Sequence, residues 1–227
     1  FDSKEYENFS IHTQLEAIIK SDPNDFASWI SYLHFTEANV FKLSIPKQKV
    51  IAIFEWFFDH FPFCFAYWIK LTKLVEKMTI NSENSLNSEV LEVYRKALSI
   101  EHCRYSPELW LSYCNYLKQF SIAEELQIVS ENYQEAVETV GFHPHSYGLW
   151  KSYIDFKIER KAPISNIINI YERALTQSLV ELPKLMDDLR LFLIQENIGL
   201  ADIFTTFQKS LTEVSRRSNF ESKITRH

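Results

Sequence analysis

Few residues of this sequence have the types and spacing that metal binding or acid–base catalysis requires. His143 and His145 form an HPH motif whose imidazoles could ligate a metal ion, yet no third ligand is paired with them by spacing. Asp187 and Asp188 are adjacent, so on a helix their carboxylates point about 100° apart and would not act as an acid–base pair. We interpret the first motif as a turn before a helix and the second as part of a solvated face.

Motifs of common enzyme families are also missing from the sequence. It contains no glycine-rich phosphate loop, no GxSxG nucleophile motif and no HExxH zinc motif, and only 3 of its 227 residues are glycine. We therefore expect a non-catalytic protein that needs no cofactor and no metal ion.

The cysteines give no sign of a disulfide framework or a zinc site. Cys64, Cys103 and Cys114 are odd in number and show no CxxC spacing. We expect them to be buried thiols of a protein in a reducing compartment, and we expect His102, beside Cys103, to be structural.

Charge argues against a general affinity for nucleic acid. The formal net charge is -6, so any contact with RNA is expected to be indirect or weak. The basic carboxyl-terminal residues Arg216, Arg217 and Lys223 are candidates for a local RNA or partner contact, although a solvated basic helix end is the favoured explanation for them. No run of about 18 apolar residues predicts a membrane span.

Two interleaved motifs recur with a period of about forty residues. The first is a tryptophan followed by large apolar or aromatic residues at every third position, and its tryptophans are 39, 42 and 40 residues apart. The second is centred on a tyrosine or phenylalanine, with successive spacings of 40, 39, 38 and 36. The first motif is marked by Trp29, Tyr32, Trp68, Trp110, Tyr113, Trp150 and Tyr153, and the second by Phe54, Tyr94, Tyr133, Tyr171 and Phe207. Spacing by three and four places each motif on one face of a helix.

Two helices per period predict an all-α solenoid of about five antiparallel helix-pair repeats. Prolines mark the turn before each tryptophan helix, at Pro23, Pro62, Pro107 and Pro144, and Pro183 precedes a fifth such helix without a tryptophan. We expect an incomplete capping repeat at 1–24 and repeats at about 25–62, 63–103, 104–143, 144–180 and 181–215. Longer connections are expected at 39–49 and 77–88.

The two motifs together resemble the half-a-tetratricopeptide (HAT) repeat of RNA-processing proteins, which is similar to the tetratricopeptide repeat. The resemblance rests on W-x-x-Y-x-x-F in the first helix and Y-E-R-A-L in the second. Three stretches further resemble the family of pre-mRNA-processing factor 39 and its fungal paralogue, factor 42. They are FEWFFDHFPFCFAYWIKLTKLVEK, NYQEAVETVGFHPHSYGLWKSYIDFKIER and the terminal FESKITRH.

The resemblance implies a nuclear scaffold subunit of the U1 small nuclear ribonucleoprotein (snRNP), which recognises the 5′ splice site. Such a subunit bridges U1 core proteins and other splicing factors. It also implies that 1–215 is an amino-terminal HAT domain, and that 216–227 begins a linker to a second HAT half through which the protein forms homodimers or pairs with a paralogue. The alternative is a scaffold of another RNA-processing complex, such as an mRNA 3′-end cleavage or crooked-neck-like spliceosomal protein.

The repeat interpretation predicts that the tryptophans are core residues. Replacing Trp110 or Trp150 by alanine is expected to cost about 3–5 kcal/mol of folding free energy, because each change removes a large buried ring. Thermal denaturation of the two variants measures the loss, and an unchanged melting temperature would contradict the repeat.

Overall fold

All secondary structure in the described part of the chain is helical, which confirms the predicted all-α class. The computed structural model describes residues 3–79, 86–121 and 125–198, together with 212 and 216. The chain divides into two compact units, 1–103 and 104–227. No described helix is both long and apolar enough to cross a membrane.

The first unit is a series of helices in which each packs on the next along the chain. The helices are α1 (Ser3–Ser21), α2 (Phe26–Asn39), α3 (Lys47–His60), α4 (Phe65–Thr79) and α5 (Ser88–Ser99), followed by the one-turn α6 (Glu101–Arg104) at the unit boundary. Contacts join α1 to α2, α2 to α3, α3 to α4 and α4 to α5. Helix α1 lies within 1–24, the stretch expected to form an incomplete capping repeat.

The second unit repeats a helix pair and stacks it on the following pair. Its described helices are α7 (Pro107–Phe120), α8 (Leu126–Val140), α9 (Tyr147–Glu159), α10 (Ile164–Leu175) and α11 (Leu182–Gln195). Helix α9 packs on its partner α10 and also on α7, α8 and α11. Tryptophan helices therefore contact one another from repeat to repeat, as stacking of helix pairs requires. The expected second helix of the fifth repeat, which carries Phe207, lies outside the described residues.

Polar caps start several helices where the sequence places turn residues. The Asp25 side chain accepts from the Ala27 backbone N–H at the start of α2, and Asn87 caps α5 in the same way. Ser106 accepts from Leu109 N–H at 3.2 Å and is followed by a proline in the first turn of α7. Each cap pairs backbone donors that have no partner within the helix.

Three tryptophans tie their helices to the turn that precedes them. Trp29 donates its indole N–H to the Pro23 carbonyl oxygen at 2.8 Å, and Trp110 donates to the Arg104 carbonyl at 2.7 Å. Trp150 donates to the Gly141 carbonyl at 2.9 Å. A buried indole needs such an acceptor, so one side chain fills the core and also fixes the entry of its helix.

The same left-handed turn, made without glycine, ends α9 and α11 and recurs in the connection between α2 and α3. Ser44, Lys161 and Asn197 have φ values of 49°, 51° and 55°. In each turn the next residue donates its N–H to a carbonyl five residues earlier, at a distance of 3.0 Å. This is the helix-ending hydrogen bond of the Schellman motif, which glycine normally completes at lower cost.

Polar side chains connect neighbouring repeats at nearly constant sequence separation. The pairs are Lys47 with Glu89 and Lys96 with Glu55 in the first unit, and Lys118 with Glu159 (2.8 Å) and Tyr147 with Asp188 (3.0 Å) in the second. Partners lie 41 or 42 residues apart, which is one repeat. Exposed ion pairs contribute little free energy, so these pairs favour one register of stacking more than they add stability.

A close approach at Gly141 yields a stability prediction. A Cβ atom there would lie 2.2 Å from the Val137 carbonyl oxygen and 2.7 Å from the Trp150 ring. Gly141→Ala is therefore expected to destabilise the protein by about 1–3 kcal/mol, since backbone and ring must both move. Urea unfolding measures the change.

Gly148→Ala is the matched control for that substitution. Its Cβ would meet only the end of the flexible Leu111 side chain, at 3.2 Å, and alanine is favoured within a helix. We expect this variant to match or slightly exceed the parent in stability. Equal losses for the two alanine variants would contradict the packing described at Gly141.

His12 predicts how stability depends on pH. Its side chain, on α1, is 5% exposed and lies 5.1 Å, centroid to centroid, from the Tyr32 ring on α2. Burial, and then the positive charge of Lys49 on α3, lower the pKa of His12 from 6.5, while Glu16 on α1 opposes them. The unfolded chain therefore takes up a proton at a higher pH than the native chain does.

The free energy of unfolding is accordingly expected to decrease as the pH drops below about 6.5, until native His12 also becomes protonated. His12→Gln removes this titrating group, so its stability is expected to change less between neutral and mildly acidic pH. Urea unfolding of both proteins across that range measures the two slopes, and identical slopes would show that His12 does not contribute.

Candidate partner-binding surfaces

The repeat signature residues lie in the core, where almost none of their surface is open to a partner. Eleven of the twelve fall within the described residues, and each of these is at most 6% exposed. They are Trp29, Tyr32, Phe54, Trp68, Tyr94, Trp110, Tyr113, Tyr133, Trp150, Tyr153 and Tyr171. Binding must therefore use mainly residues that the repeat pattern does not mark.

The candidate metal-binding histidines lie in the turn between α8 and α9. The rings of His143 and His145 are 5.7 Å apart, and His143 Nδ1 accepts from the His145 backbone N–H at 3.2 Å. No three His, Cys, Asp or Glu side chains within the described ranges are grouped closely enough to hold a metal ion.

The paired aspartates make separate contacts on α11. Asp187 forms an ion pair with Arg190 at 3.0 Å, whereas Asp188 accepts from the Tyr147 hydroxyl at 3.0 Å. Burial, then this hydrogen bond, raise the pKa of Tyr147 to about 12. The two carboxylates share no partner, so nothing in this geometry arranges them as an acid–base pair.

The cysteines are shielded rather than activated. Cys103 and Cys114 are buried, Cys64 is half-buried, and all three are free thiols. Burial raises the pKa of each thiol. Since the thiolate is the nucleophile, these groups have little reactivity at neutral pH.

Of the basic residues singled out in the tail, only Arg216 is described. Arg216 is helical, and its side chain is exposed. Arg217 and Lys223 lie outside the described residues.

Exposed apolar side chains mark the turns of both units. In the first unit they are Phe41 and Phe63, the latter being 74% exposed, and Phe26 is exposed at the start of α2. In the second unit Tyr105, Phe142 and Val180 occupy the turns that lead into α7, α9 and α11. Leu191 and Ile194 are two further exposed side chains, on α11. Isolated exposed apolar residues are common, but recurrence at equivalent turns favours contact with other proteins.

The turn at Pro62 departs from the arrangement in the other repeats. By sequence position its carbonyl corresponds to the acceptors of Trp29 and Trp110, but it accepts instead from His102 Nε2, at 2.7 Å, and from Cys103 Sγ, at 3.7 Å. Trp68 Nε1 is buried and has no turn carbonyl as its acceptor; its N–H lies instead against the Cys103 thiol, where it partly offsets the rise that burial causes in the pKa of that thiol.

A cavity of about 130 Å³ opens beside this turn and is named the Pro62 cavity. All its lining residues belong to the first unit: Glu55, Phe58, Asp59, Pro62, Trp68, Lys96, Ile100 and His102. The Phe58 and Trp68 rings stack at 3.9 Å with an interplanar angle of 7°. The periodic pattern gave no signal for this cavity, because the pattern does not specify which donor forms a hydrogen bond with the Pro62 carbonyl.

Comparison with known families decides the assignment. A model described as PRP39 N-terminal HAT repeat matches residues 13–190, which is most of the chain. The chain belongs to this family. The HAT-repeat domain is a helical solenoid, so both the predicted family and the predicted fold class are confirmed.

Similar curated proteins carry names from the same family. Pre-mRNA-processing factor 39 of Danio rerio is 28% identical over 167 residues, covering 72% of this chain and 20% of that protein. The human protein of that name is 28% identical over 160 residues, covering 69% and 22%. The Saccharomyces cerevisiae protein is 25% identical over 208 residues, covering 89% and 32%. The chain thus spans about a fifth to a third of the length of these relatives.

Proposed function

We propose that this chain is the amino-terminal HAT domain of a non-catalytic scaffold subunit of the U1 snRNP, acting in the nucleus in 5′ splice-site recognition. The family match over residues 13–190 carries the proposal. Relatives named pre-mRNA-processing factor 39 in fish, human and yeast support a role in pre-mRNA processing.

The proposed mechanism is passive presentation of surfaces. Buried signature aromatics and inter-repeat pairs hold the helices in place before a partner arrives, which reduces the entropy lost on association. Exposed apolar side chains at the turns then provide contacts for U1 core proteins and other splicing factors. The acidic net charge of -6 favours RNA contact that is indirect or weak.

Self-association is proposed to use a second HAT half, as a homodimer or with a paralogue. The relatives are about three to five times longer than the part this chain matches, which leaves room for such a region. The first domain is then available for other partners.

Affinity purification of the intact tagged protein from nuclear extract tests this function. Co-purification of U1 RNA with its core proteins is expected, at a level well above that of an unrelated tagged nuclear protein. The complex should survive mild ribonuclease treatment of exposed RNA if contacts are mainly between proteins.

Recovery of cleavage-and-polyadenylation factors, or of another spliceosomal complex without U1 RNA, would contradict the U1 assignment. Either result would favour the alternative scaffold while leaving the HAT fold intact.

A further inference from the structure

The tryptophan of the repeat at about 63–103 is paired differently from the tryptophans of three other repeats. In those repeats the tryptophan indole donates to a carbonyl of the preceding turn, whereas Trp68, which is 2% exposed, lies with its N–H against the Cys103 sulfur. A thiol sulfur is a weaker acceptor than a carbonyl oxygen, so this indole is held less firmly than those of the other repeats. Local departures of this kind concentrate at functional sites.

The Pro62 cavity is large enough for part of one side chain. Its volume of about 130 Å³ is close to that of the roughly 150 Å³ protein cavity known to accept benzene. Phe58, Trp68 and Ile100 provide apolar walls for an aliphatic stem, the first two as a stacked pair. Such walls suit long side chains whose polar ends stay at the surface.

Charge at the cavity favours a cation. Lys96 is paired with Glu55, so these two lining charges offset each other. Asp59 is exposed, lines the cavity and has no ion-pair partner among the described residues. One negative charge is therefore left at the opening.

An exposed aromatic ring packs against one residue of the cavity lining. Phe63 is 74% exposed, and its ring centroid is 4.7 Å from that of His102, which lines the cavity. A guanidinium group can stack on an aromatic face while it pairs with a carboxylate. Apolar walls, one free carboxylate and an exposed ring together match arginine better than an acidic or purely apolar side chain.

We propose that the Pro62 cavity is a socket for one arginine side chain of a protein partner. The stem lies along Phe58, Trp68 and Ile100, and the guanidinium group pairs with Asp59 beside Phe63. The socket deepens the proposed scaffold function, on which the identity of the partner rests.

Nuclear magnetic resonance of the ¹⁵N-labelled tryptophan indoles tests the socket directly. The probe is the capped tripeptide N-acetyl-Gly-Arg-Gly-amide, compared with its citrulline counterpart, which has nearly the same shape without the charge. The Trp68 indole signal is expected to shift and saturate with the arginine peptide, while the Trp29, Trp110 and Trp150 signals stay in place.

Asp59→Asn and Asp22→Asn form a matched pair for this titration. Asp59 is exposed and lines the cavity, whereas Asp22 is an exposed acid of the same unit that does not line it. At low salt Asp59→Asn is expected to weaken arginine-peptide binding about two- to fivefold, as for an exposed charge pair. Asp22→Asn is expected to leave it unchanged.

Three outcomes would overturn the socket: no shift of Trp68, equal shifts with the citrulline peptide, or equal affinities of the two asparagine variants. The peptide titration needs no splicing component. Its failure would therefore leave the U1 role standing, and failure to recover U1 RNA would leave the socket standing.

Discussion

The structure depends on a contact that holds three of its helices against the turn before them. A buried indole ring fills the space between helices, and its N–H donates to a turn carbonyl, as in Trp29, Trp110 and Trp150. Loss of the ring would open the core and release the turn together. Gly141 shows how tight this contact is, because its missing side chain leaves the space that the Trp150 ring occupies.

The periodic part of the structure could be predicted from sequence because it repeats. Tryptophans at intervals near forty residues, prolines before them and a second aromatic motif specify helix type, number and buried face. The Pro62 cavity could not be predicted in this way. It lies beside a turn whose carbonyl pairs with His102, whereas the corresponding carbonyls of two other turns accept from Trp29 and Trp110, and the repeat pattern does not specify that pairing.

Functional prediction met the same limit. The signature residues are buried, so the pattern that identified the family does not indicate which residues contact partner proteins. Exposed Phe63, Tyr105 and Phe142 were visible in the sequence but could not be separated from core aromatics without a structure. The titratable groups also give no indication of a binding or catalytic site, because burial is the main cause of the raised pKa values of Cys103, Cys114 and Tyr147. A poised catalytic group would need a more specific partner.

The inter-repeat pairs have a consequence for biosynthesis. Because partners such as Lys118 and Glu159 are 41 residues apart, each helix pair can complete its contacts once about one further repeat has left the ribosome. At roughly 5–20 residues per second that takes about 2–8 s. Local contacts of this kind favour rapid folding, so growing chains need not expose an unfinished core for the whole time of their translation.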